Sequence, residues 1–95
     1  MRFEWDPRKN LLNITKHSLS FETAKLVFQD PYIHSELDRF VDGEERWQSI
    51  GRVGHTLVVL VAHTTRDEDG EEVVRILSAR KATRPERKRY EEEQG

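Results

Sequence analysis

Two apolar runs dominate the chain, LVVLVA over 57–62 and VVRIL over 73–77, and both are rich in β-branched residues. The first lies inside His55–Arg66, which reads as a strand apolar on both faces and therefore central to a sheet. Asp67–Gly70 (DEDG) predicts a hairpin turn into a second strand over Glu72–Ser78. At the other end, Arg2–Trp5 alternates and places Phe3 and Trp5 on one face of a short strand. Asp6-Pro7 then opens a helix over 7–17, since Asp can cap free amides and Pro is tolerated in a first turn. Leu11, Leu12 and Ile14 supply its apolar side. Ser18–Ser20 breaks it, and Phe21, Ala24, Val27 and Phe28 recur at helical spacing behind a Ser20 cap, ending before Asp30-Pro31.

The middle of the chain is less regular. Tyr32–Arg39 is a weak strand interrupted by charge, Asp42-Gly43 a turn, and Arg46–Arg52 a further strand, with Gly51 and Gly54 supplying the turn after it. Thr83-x-x-Glu86 is a capping box with Pro85 in the first turn, so a last helix starts near residue 84, with fraying expected over Glu91–Gly95. The order β-α-α-β-β-β(-β)-α predicts an α+β fold, with helices packed on an antiparallel sheet of three to four strands besides the N-terminal one. Residues 1–95 suffice for one domain with a modest core.

Charge changes the picture more than composition does. Seven of the sixteen residues of Arg75–Tyr90, RILSARKATRPERKRY, are Lys or Arg and one is acidic, a local +6; the whole chain is −2, so the other 79 residues carry −8. Positive charge gathered at one strand-to-helix junction predicts an anion site, and its breadth suits a polyphosphate such as RNA. The chain has no cysteine, which excludes disulfides and thiolate zinc sites. It has no N-terminal apolar leader and no run long enough for a membrane span, so a cytoplasmic protein is expected.

Several long words carry a family resemblance: FEWDPRKNLLNITKHSLSFETA over 3–24, Val27, Phe28, Asp30 and Pro31, the segment around Glu45, Arg46 and Gly51, and RILSARKATRPERKRY over 75–90. Together they resemble the BrnT toxins, which belong to the RelE-like ribonuclease toxins of type II toxin–antitoxin systems. The resemblance implies a RelE-like fold and a metal-independent endoribonuclease that cuts mRNA and arrests growth. It also implies a BrnA-type antitoxin with a ribbon-helix-helix DNA-binding region, the complex repressing its own operon by binding operator DNA. An acidic balance is unusual for such a toxin, and it would suit a basic antitoxin.

Cleaving RNA without metal requires a group to take the 2′-OH proton, a group to stabilise the phosphorane and a group to protonate the leaving 5′-oxygen. Guanidinium suits the second role, being permanently charged and able to bind phosphate bidentately. Arg80, at the strand end just before the capped helix, is the first candidate, and the family pattern adds Arg46. His17, at the C-terminus of the first helix where the dipole favours its cation, and Tyr90 are candidates for proton transfer. Against these stand ordinary readings: solvated or ion-paired arginines, a His17 that only caps, a Tyr90 that anchors its helix to the sheet. Arg66 ends a strand but pairs near 71–73, so it lies at the opposite end from Arg80, whose neighbour should fall near Leu57–Val59. Lys81, Arg84, Arg87 and Lys88 read as guidance for the RNA backbone, as do Arg66 and, along the first helix with Asn13, Lys9 and Lys16.

The four histidines make no metal pattern. His55 and His63 would share a strand face about 26 Å apart at strand rise, and His63 reads as a buried histidine with a hydrogen bond. Neither metal nor cofactor is expected. Two further readings compete with the ribonuclease: a module that has lost catalysis and acts with the antitoxin as a corepressor on operator DNA, and an RNA-binding or structural module without toxicity.

Overall fold

The computed structural model describes residues 1–93. The N-terminal strand and the helix caps are realised as expected, but Leu11, Leu12 and Ile14 are exposed rather than packed, and the residue that the first helix turns inward is Asn13. Strand β1 spans Arg2–Glu4 and helix α1 spans Pro7–His17, where the Asp6 side chain accepts the Arg8 amide at 2.8 Å and Ser18 closes the helix in the left-handed conformation. Ser20 caps α2, Phe21–Ala24, whose helix tightens into a 3₁₀ segment over Lys25–Gln29. Four strands follow: β2 His34–Val41, β3 Glu44–Val53, β4 Leu57–Glu68 and β5 Glu71–Lys81, then helix α3 over Arg84–Glu93. The expected fraying over 91–95 covers residues 94 and 95, which lie outside the described residues; α3 itself continues through Glu93.

The five strands lie in the order β1-β5-β4-β3-β2. The sheet is mixed rather than antiparallel, because β1 joins its edge parallel to β5, with Phe3 opposite Val74. The helices carry the chain from β1 to β2 at the opposite edge, and three antiparallel pairings bring it back until β5 lies beside β1. Two further departures concern register. Gly51 is not a turn residue: it lies inside β3, where an added Cβ would stand 2.9 Å from Val27 Cγ1, so its lack of a side chain lets the 3₁₀ segment press onto the sheet. A bulge in β5 between the partners of Ala62 and His63 moves the residue opposite Arg80 to Leu60, beyond the expected 57–59.

Helices cover both faces at one end of the sheet. On one face Leu19 of the α1–α2 loop, Phe21 and Ala24 of α2 and Val27 of the 3₁₀ segment are buried against Val59, Val61, Val74, Ile76 and Ala79. On the other, α3 inserts Tyr90 against Ile50, Val58 and Leu60. Asn13 fastens the first layer: its buried amide donates to the carbonyls of Leu19 and Ala79, 2.8 Å each, and accepts the Ala79 amide at 3.1 Å. The end of the sheet that carries the two hairpin turns, at Asp42-Gly43 and Asp69-Gly70, has no helix over it. No helix among the described residues is long and apolar enough to cross a membrane.

Candidate nucleic-acid interface

Pairing fixes which side chains share a face. Arg39 of β2 lies opposite Arg46 of β3, and the β3–β4 register carried one residue past Trp47–His63 sets Arg46 beside Thr64. Thr64 pairs with Arg75 and Arg75 with Glu4. A row Arg39–Arg46–Thr64–Arg75–Glu4 thus crosses all five strands on the face that α3 shares, at the end α3 leaves open. Arg46 and Arg75 are two strands apart, about 10 Å, a span that two guanidinium groups can close on one anion. A parallel row nearer α3 runs His34–Ile50–Leu60–Arg80.

Arg46, Arg66, Arg75 and Arg80 each already hold a carboxylate. Arg66 donates to Glu4 at 2.6 Å and 3.2 Å and to Glu68 at 2.8 Å and 3.1 Å, and these bonds raise its pKa. Arg75 stands 3.5 Å from Glu4, whose carboxyl is held low chiefly by Arg66. Arg46 lies 3.4 Å from Glu44, while its buried Nε finds no hydrogen-bond partner among the described residues. Arg80 takes Glu86 bidentately at 2.8 Å and 3.1 Å. Glu86 also accepts the Thr83 amide at 2.8 Å, so the capping box and the anion site are one object. The bonds from Arg80 hold the Glu86 carboxyl down at about 2. The anion expected at this junction is therefore present, as part of the chain itself.

The remaining candidates are dispersed. Tyr90 is 2% exposed, and its hydroxyl donates to Asp30, with the Arg52 guanidinium 5.8 Å above its ring. Burial first and Asp30 second raise its pKa, so its placement is that of an anchor and not of a proton donor. Burial pushes the Asp30 carboxyl up, but the bonds from Tyr90 and from the Arg52 and Tyr32 amides outweigh it. Arg84, Arg87 and Lys88 line the outer side of α3, turned away from Tyr90 rather than beside it, and Arg87 is paired with Glu91 at 3.0 Å. His17, Lys9 and Lys16 belong to α1, which packs on the opposite face of the sheet; Lys81 also points to that face, in register with Val59. Asn13 does not join Lys9 and Lys16 on a ligand surface, since it is turned into the sheet.

Sequence reasoning missed Arg75, Glu4 and Glu86 as parts of the site. Arg75 was legible only with the parallel pairing of β1, and Glu86 was read as a cap with no thought for what its carboxylate would meet. His55 falls in the turn between β3 and β4 and shares no strand face with His63. No group of three or more His, Asp or Glu residues suited to a metal occurs among the described residues.

The family model described as the ribonuclease toxin BrnT of type II toxin–antitoxin systems matches residues 5–86. The chain belongs to the BrnT toxin family. That stretch begins just after β1 and ends at Glu86, and so holds Arg46, Arg75, Arg80 and the carboxylate that Arg80 grips. Among solved structures, the 1.1 Å crystal structure of the Brucella abortus ribonuclease toxin BrnT is similar in fold, with a TM-score of 0.60 and 22% identity over 88% of this chain and 99% of that one. No curated protein sequence matches the chain significantly. Membership makes this a ribonuclease toxin family protein, and its type II system implies an antitoxin and an RNA substrate.

Proposed function

We propose that this BrnT-family protein is a RelE-like, metal-independent endoribonuclease that cuts mRNA in the cytoplasm and arrests growth until a BrnA-type ribbon-helix-helix antitoxin binds it, the complex then occupying operator DNA. One observation carries the catalytic part: Arg46, Arg75 and Arg80 stand on one open face of the sheet, in a family of ribonuclease toxins. RNA phosphate replaces the internal carboxylates. The ribose 2′-oxygen attacks phosphorus, the 5′-oxygen leaves, and the charge of the phosphorane falls on the guanidinium groups. The products are a 2′,3′-cyclic phosphate and a 5′-hydroxyl. Arg66, at the far end of this face, and the outer cations Arg84, Arg87 and Lys88 guide the backbone, with Lys81, Lys9 and Lys16 as a second basic margin. His17 remains a proton-transfer candidate only for RNA that wraps past the strand end, and Tyr90 is committed to Asp30.

The test is incubation of the purified protein with RNA in excess chelator, with end-group analysis of the fragments. Cleavage that disappears in Arg80→Ala and falls in Arg46→Ala and Arg75→Ala supports the proposal, and intact RNA at high protein concentration defeats it. That second outcome is the one expected of a corepressor without catalysis, a reading favoured by the carboxylates that Arg46, Arg75 and Arg80 already hold.

A further inference from the structure

At the hairpin end, the sheet face that carries α1 and α2 is open and apolar. The helical layer stops at Phe28. Beyond it lies a hollow of about 470 Å³ floored by Phe28, Ile33, Trp47, His63 and Val74. The opposite face at the same level is the ion-paired arginine row, so one half-sheet is polar on one side and greasy on the other. A concavity of this size and composition has the character of a binding site.

The polar atoms of the floor are satisfied among themselves. Ser35 Oγ lies 2.7 Å from Ser49 Oγ, which lies 2.7 Å from His63 Nε2, and the His63 ring meets Phe28 edge-on at 5.1 Å. Burial holds the His63 pKa below its ordinary value, so the floor is uncharged near neutral pH. Apart from the Met1 amino group, the lip supplies negative charge. Glu45 and Glu72 line the hollow, and neither has an ion-pair partner among the described residues. The adjoining hairpin tips add Asp42, Asp67, Asp69 and Glu71. Such a rim repels an RNA backbone and attracts a cationic segment.

We propose that this hollow seats a basic amphipathic helix of a partner polypeptide. Its apolar side covers Phe28, Ile33 and Trp47, its Lys or Arg residues meet Glu45 and Glu72, and it continues the helical layer that α1 and α2 begin. The inference rests on the toxin–antitoxin reading, under which the partner is the antitoxin. The seat lies on the other side of the sheet from the arginine row, so partner binding and RNA cleavage can be separated by substitution.

The experiment follows Trp47 emission in a full-length Trp5→Phe protein. The probes are a Leu/Ala/Lys helical peptide of about 18 residues, its Leu/Ala/Glu counterpart and a short single-stranded RNA; anisotropy of the labelled peptides on the unsubstituted protein gives a second readout that does not depend on Trp5→Phe folding. Saturable binding of the Lys peptide with a blue shift of Trp47 is expected, weakened at least about tenfold by Glu45→Lys with Glu72→Lys, while RNA cleavage by that double variant is retained. Equal binding of the Glu peptide, RNA that competes for the hollow, no saturable binding of the Lys peptide, or affinity unchanged in the double variant overturns the proposal. RNA cleavage measured alongside reports separately on the proposed enzyme.

Discussion

The Glu86 carboxylate lies across the Arg80 guanidinium with two bonds of 2.8 Å and 3.1 Å, in the geometry a phosphate would take. RNA must displace it. Glu86→Gln weakens the internal competitor and is expected to tighten RNA binding severalfold, whereas Arg80→Ala loosens it and stops cleavage. Fluorescence anisotropy with a labelled oligonucleotide over a salt series measures both, and unchanged binding in Glu86→Gln would show that Arg80 does not meet the backbone.

The same pair sets an acid response. The Glu86 carboxyl sits at about 2 in the folded protein against 4.5 ordinarily. A depressed acid stabilises the fold fully above its ordinary value and loses that contribution as pH falls towards the folded one. The stability difference between the native chain and Glu86→Gln should therefore shrink between pH 4.5 and about 2, as read by urea unfolding at stepped pH. A difference that stays constant across this range removes the ion pair as its source.

Arg46→Ala and Arg75→Ala are each expected to relieve growth arrest on induction of the protein, because together they span the open row. Arg66→Ala, at the far end and held by Glu4 and Glu68, should leave most of the arrest in place. Colony counts after induction rank the three, and an Arg66→Ala as harmless to cells as Arg46→Ala would move the site toward the hairpin tips.

Tyr90→Phe separates anchoring from chemistry. It removes only the hydroxyl that meets Asp30, a bond to a charged acceptor, so it should cost about 1–2 kcal/mol in urea denaturation and leave RNA cleavage intact. Lost turnover at unchanged stability would return Tyr90 to the reaction.

Asn13→Ala deletes three hydrogen bonds between α1, the Leu19 loop and β5. Leaving those backbone groups buried and unpaired should cost about 3 kcal/mol, measurable as a fall in the urea midpoint; a neutral substitution would show that these bonds do not hold α1 to the sheet.

Much of this was readable from sequence because the signals are local. Asp6-Pro7, Ser20 and Thr83-x-x-Glu86 each specify a cap by their own side chain, and each helix starts where they say. Arg66 was placed opposite 71–73 from the hairpin alone, and it pairs with Val73. What failed is non-local. The parallel seat of β1 depends on β5, which lies at the other end of the chain. The bulge that sets Leu60 against Arg80 leaves no mark in composition, and Gly51 looked like a turn because nothing in the sequence shows that Val27 presses against it. The candidate residues were scattered for the same reason: only the packing of α3 reveals which side of that helix is the inside.

The pairing of Arg2 with Val73 also orders events during synthesis. β1 is made well before its partner β5, and β5 carries both Arg75 and Arg80. The sheet cannot close, nor its arginine face assemble, until β5 has emerged. If the arginine face is the RNA site, a nascent chain has no such site until β5 emerges, an interval in which a partner already present in the cell can meet the protein as it folds.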